Sequence, residues 1–175
     1  MKVKDMTMTA LFAAMICVMA PWSFSAGAVP ITLATLAIYL ASLVLGWKRA
    51  TAAVVIYILL GAVGVPVFSN LTGGLQKLVG PTGGYIAGYI PLALIAGLIA
   101  DRLENAWGCV IALLAGTLAL YALGTAWFCV SLGKDLGYAM GVCVLPFLPG
   151  DAIKVALATI IAIKLRPLVK KQMNS

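Results

Sequence analysis

Histidine is absent from the 175-residue chain, and only 5 acidic residues accompany 12 lysines and arginines. The commonest metal ligand and general base is therefore missing. No convincing nucleophile and base pair is found among the other residue types, so an enzyme is the weakest functional class. The four cysteines, Cys17, Cys109, Cys129 and Cys143, lack C-x-x-C spacing. They read as buried structural thiols, with no disulfide or metal implied. A phosphate-binding loop of the form G-x-x-x-x-G-K-[ST] is also lacking, so ATP hydrolysis by this chain is not expected. These absences lead to an expectation of no catalytic residue, no metal and no cofactor.

Charge is scarce as well. Charged residues make up 10% of the chain and hydrophobic ones 63%, whereas a soluble domain carries roughly 25% charged residues. The composition is that of an integral membrane protein. A net charge of +7 would suggest a nucleic-acid partner if the basic residues formed a face, but they lie in short clusters between apolar runs. Membrane topology explains them better than nucleic acid does.

Charge-free runs cover 6–47, 50–76, 78–100, 105–133 and 136–150, and a last run containing Lys154 reaches Ile163. A crossing takes roughly 20 apolar residues, so the first run is long enough for two spans broken at Pro21 and Pro30. Six transmembrane helices are predicted, near 6–20, 31–47, 50–64, 83–100, 107–130 and 149–166, forming an all-α single transmembrane domain over 1–175. The first three are short and call for tilt or local thinning. With both termini in the cytoplasm, Lys2, Lys4, Lys48, Arg49, Arg102, Lys164, Arg166, Lys170 and Lys171 lie inside. Only Lys77 and Lys134 fall in outer loops, with Lys154 at an outer mouth, as the positive-inside rule requires of a cell-membrane protein. The charged start and first apolar run also resemble a signal peptide, with Ala26-Gly27-Ala28 as a cleavage site. The following segments alternate in the same way, which favours a first span.

Two stretches depart from a plain bundle. In Pro149-Gly150-Asp151-Ala152-Ile153-Lys154 a carboxylate and an ammonium stand three residues apart, on one helix face. Ionisable groups at membrane depth face a bundle interior or wet cavity, so a site is the default reading. The alternative is a helix-start carboxylate bridged to its own lysine, shaping the fold without ligand. The second stretch joins the third and fourth spans over 61–85 and is dense in glycine and proline, with Val, Phe and Leu between. Irregular backbone near membrane depth survives only when buried in protein or lining a cavity. The segment should fold back over the outer half of the bundle as a re-entrant lid, unless its glycines serve turns alone.

The strings Gly64-Val65-Pro66-Val67-Phe68-Ser69, Gly73-Gly74 and Gly80-Pro81-Thr82-Gly83-Gly84-Tyr85, with the later Pro149-Gly150-Asp151 and Lys154, resemble the signature of the BioY family. BioY proteins are biotin-binding S components of energy-coupling factor (ECF) importers. The resemblance implies a six-helix S-component bundle that binds biotin from outside and docks on a coupling transmembrane protein with two ATPase subunits. It also implies that Asp151 and Lys154 contact the ligand. Asn70, Gly73, Gly74, Thr82, Gly83, Gly84 and Tyr85 are carried over as a group contributing to the pocket.

The residue types suit the vitamin. Biotin carries two ureido N–H donors, a polarised carbonyl and a carboxylate tail, so Asp151 can accept from the head while Lys154 donates to its oxygen. Lys154, or Lys77 in the lid, can instead pair with the tail. The head assignment is favoured, because Asp151 would repel the tail. Phe68, Tyr85, Tyr89 and Trp127 are candidate apolar walls. Ala10 and Ala14 form a small-x-x-x-small pair that lets another helix approach; the resemblance assigns this pair to the coupling protein, and the alternative is packing within the bundle. A stand-alone transporter with Asp151 carrying a coupling proton is the competing function. Against it stand a single buried carboxylate and no evident internal repeat.

Overall fold

The computed structural model describes residues 3–25, 29–103 and 105–174. Lys2 and the tripeptide Ala26-Gly27-Ala28 lie outside the described residues. Among those described, eight α-helices follow one another: α1 (Val3–Met19), α2 (Ala34–Leu45), α3 (Trp47–Ala62), α4 (Leu75–Val79), α5 (Gly83–Arg102), α6 (Ala106–Leu132), α7 (Leu136–Cys143) and α8 (Leu148–Asn174). The six long ones overlap the six predicted segments. Among the described residues, only α5 and α6 are long and apolar enough to cross a membrane by length and composition alone. α8 matches α6 in length at 27 residues, but Asp151, Lys154 and Lys164 interrupt its apolar run.

The fold is all-helical, as expected, with one short addition. Strands β1 (Ser23–Ser25) and β2 (Pro30–Thr32) pair antiparallel between α1 and α2, with Phe24 opposite Ile31. Pro21 and Pro30 mark this break, because proline cannot continue a helix. On either side of it, Ser23–Ser25 and Pro30–Thr32 pair as a ribbon instead. The short α7 was also not anticipated. Asp135 starts it, its carboxylate accepting from the Tyr138 amide at 3.2 Å, which satisfies one free donor of the first turn.

Local chemistry sets the other boundaries. Gly46, at φ 76°, turns the chain between α2 and α3, a conformation that costs glycine little. The Asn105 side chain accepts from the Gly108 amide at 2.6 Å and opens α6, and Gly133 at φ 61° closes it. α5 and α6 pack most closely because glycine lies at the contact. A Cβ on Gly88 would meet Leu120, one on Gly116 the Leu92 carbonyl, and one on Gly124 the Tyr85 ring. Small residues allow such close approach between apolar helices.

Ionic contacts identify one end of the bundle. Arg49 at the start of α3 pairs with Asp5 of α1 at 2.9 Å. Arg166 of α8 lies 3.7 Å from Asp101 at the end of α5 and donates to the Ala100 carbonyl. Asp101 also accepts from the Trp47 amide at 3.3 Å. The opposite end holds the ribbon, α7 and the 63–82 connection. That connection folds back on α3: the Gly74 amide donates to the Gly61 carbonyl at 2.7 Å, and the buried Phe68 ring stands on Gly61 and edge-on to Tyr57. Asn70 ties it to the ribbon, its amide donating to the Pro21 carbonyl at 3.2 Å and its side chain accepting from the Ser23 hydroxyl at 2.8 Å.

Candidate ligand-binding site

Asp151 and Lys154 lie in the first turns of α8 with 5% and 7% of their surface exposed. Two charges this deeply buried cost several kcal/mol each unless neighbours compensate them. Here they do. Lys154 Nζ donates to Asp151 Oδ1 at 2.9 Å, to Thr35 Oγ1 at 2.9 Å and to the Thr32 carbonyl at 2.8 Å. An ammonium has three donors, and all three are used. The other carboxylate oxygen, Asp151 Oδ2, accepts from the Tyr121 hydroxyl at 2.5 Å. The pair is thereby fixed by α2, α6 and the end of β2.

The pair faces a hollow of about 340 Å³, also lined by Val29, Thr32, Thr35, Tyr85, Tyr89, Tyr121 and Phe147. A second hollow of about 330 Å³ adds Tyr57, Phe68, Ser69, Thr82 and Ile86, and shares Val29, Pro30, Thr32, Tyr85 and Tyr89 with the first. Together they form one cleft beneath the folded-back connection. Two larger hollows are one of about 520 Å³ beside Asp5, Arg49 and Asp101, and one of about 650 Å³ between α6 and α8 that Thr117, Tyr121 and Asp151 also border. The first adjoins partly exposed ion pairs, and the second is walled mainly by leucine and valine. Among these hollows, the cleft combines aromatic walls with an interior cation, an anion and neutral hydroxyls.

Over residues 1–171 the chain matches the family model described as the BioY family. The chain belongs to the BioY family. A Thermotoga maritima protein named "Biotin transporter BioY" is 42% identical over 159 residues, 90% of this chain and 93% of that one. A Pyrococcus horikoshii protein named "Probable biotin transporter BioY" is 39% identical over 166 residues, covering 95% and 98%. The fold matches a crystal structure of the S-component for biotin from an ECF-type ABC transporter, with a TM-score of 0.87 and 28% identity over 95% of this chain and 92% of that one. BioY proteins and the S-component fold serve transport and binding rather than catalysis. The chain is a membrane protein.

Within this BioY chain, Asp151, Lys154, Thr82 and Tyr85 from the sequence-predicted set line the cleft. Phe68 and Tyr89 do so too, but Trp127 does not: its indole N–H donates to the Gly80 carbonyl at 3.0 Å. Asn70, Gly73, Gly74, Gly83 and Gly84 are not among the lining residues. Three of these glycines sit where another side chain would collide within the protein, Gly73 against Val65, Gly83 against Leu78 and Gly84 against Trp127. Sequence reasoning missed Thr32, Thr35 and Tyr121. A signal for Tyr121 was present, since Thr117, Tyr121 and Thr125 recur every four residues along an apolar helix and so share a face. Each bonds inward, to Tyr39 at 2.6 Å, to Asp151 and to Tyr85 at 3.1 Å respectively.

Proposed function

We propose that this chain captures biotin from outside the cell as the S component of an ECF-type importer. The observation that carries the reading is the buried Asp151 and Lys154 pair, held by three neighbouring elements and turned toward an aromatic cleft. A carboxylate has roughly four acceptor positions. Asp151 uses two on Lys154 and Tyr121, leaving two for ureido N–H groups. Lys154 then donates to the ureido oxygen, while Phe68, Tyr85 and Tyr89 cover the thioether ring and alkyl chain. The 63–82 connection acts as the lid, anchored by Phe68 and linked to the ribbon through Asn70.

The same proposal places six crossings in the cell membrane, with both termini in the cytoplasm and the cleft at the outer end. The ion pairs of Arg49 and Arg166 support a shared end for the basic clusters. Ala10 and Ala14 are exposed, in line with Met6 and Val18 at four-residue spacing on the outer face of α1. This supports a helix-docking surface for the coupling protein, whose two ATPase subunits supply the energy. Lipid covers the remaining apolar exterior.

Uptake into liposomes tests the energising mode. The purified chain alone, under a proton gradient, should not accumulate biotin. Adding the coupling protein, both ATPase subunits and ATP should start accumulation. Proton-driven uptake by the chain alone would establish the stand-alone transporter in its place.

A further inference from the structure

All three donors of Lys154 are committed within the protein, so an incoming acceptor must replace one of them. Replacement of Asp151 would leave a buried carboxylate without its cation, the costliest exchange. Loss of the Thr32 carbonyl would strand a backbone acceptor, unless a second donor is at hand. One is. The Thr35 hydroxyl lies 3.5 Å from the Thr32 carbonyl, besides accepting from Lys154 at 2.9 Å. Thr35 is buried in the first turn of α2, so its side chain has little room to turn elsewhere.

We propose that Thr35 is a positioning residue for the ligand-binding lysine: its hydroxyl takes over the Thr32 carbonyl when Lys154 turns a donor to the ligand oxygen. The inference rests on the biotin reading given above. In this exchange one Lys154 N–H leaves the Thr32 carbonyl and bonds the ureido oxygen. The Thr35 O–H, already directed at Thr32, shortens its contact, while its lone pair keeps a second Lys154 N–H. The number of satisfied buried groups is unchanged, which makes capture of the oxygen inexpensive. Thr35 thus favours ligands that present a strong acceptor at that point, acting through Lys154.

The test compares the full-length parent, Thr35→Val and Thr35→Ser for binding of biotin and of its analogue with sulfur in place of the ureido oxygen, a weaker acceptor. Valine keeps the shape and removes the hydroxyl, whereas serine keeps the hydroxyl. Thr35→Val should lose about tenfold in biotin affinity, and its preference for biotin over the sulfur analogue should shrink. Thr35→Ser should retain that preference. If Thr35→Val lowers both affinities equally, Thr35 serves packing alone and the proposal is overturned. Parent-like biotin affinity and preference in Thr35→Val would overturn it too. A parent that binds neither compound would instead remove the biotin reading itself.

Discussion

At the scale of single residues, the account rests on a difference in burial. Asp151 and Lys154 are almost wholly enclosed, whereas the Arg49 side chain is 31% exposed. Exposed ion pairs contribute about 0.2–1 kcal/mol, but removing one partner of a buried pair costs about 3–5 kcal/mol. Asp151→Asn and Lys154→Ala should therefore each weaken biotin binding more than about tenfold by titration calorimetry, since each leaves a polar group unpaired in a dry cleft. Tyr121→Phe should weaken it about tenfold through loss of the bond to Asp151. Arg49→Ala should change stability by no more than about 1 kcal/mol and leave biotin affinity at the parent value. Parent-like binding by both the Asp151 and Lys154 variants would dismiss the site assignment.

At the scale of elements, glycine spacing decides how the cleft walls stand. Gly124 leaves room on α6 for the Tyr85 ring, and Gly61 leaves room on α3 for Phe68. Gly124→Ala forces the ring aside, and overpacking of this kind costs about 1–3 kcal/mol. A lowered thermal midpoint together with weaker biotin binding is expected; an unchanged midpoint and affinity would show that Tyr85 does not rely on that gap. The long helices were legible because apolar run length and the breaks at Pro21 and Pro30 carry their own physics. The ribbon was not, because strands of three residues each are too short to show an apolar period. Asp151 and Lys154 were legible as charges in an apolar segment. Their holders Thr32 and Thr35 were not, since a backbone carbonyl and a lone threonine give no signal until α2 is folded against α8. The glycines of the 73–84 stretch stood out equally in sequence, yet Gly73, Gly83 and Gly84 relieve collisions inside the protein.

For the whole molecule, the two ends differ in chemistry and so in task. One end carries ion pairs joining α1, α3, α5 and α8, and the other holds the cleft and its covering connection. The outward stripe of α1 runs between these ends, with Ala10 and Ala14 exposed and Phe12, Ala13 and Ile16 packed inward. A bulky group on the exposed stripe should therefore block a neighbouring helix without disturbing the core. Ala10→Trp or Ala14→Trp should abolish biotin uptake by the assembled importer in proteoliposomes while biotin binding stays at the parent level. Loss of binding in these variants would mean that the alanines pack within the bundle. The central claim, that the cleft takes biotin, is tested most directly by purifying the full-length chain from biotin-fed cells and measuring bound small molecules by mass spectrometry. Biotin should copurify at close to one molecule per chain with the parent and be depleted in Lys154→Ala. A parent that carries no biotin and does not bind it when it is added would contradict the account.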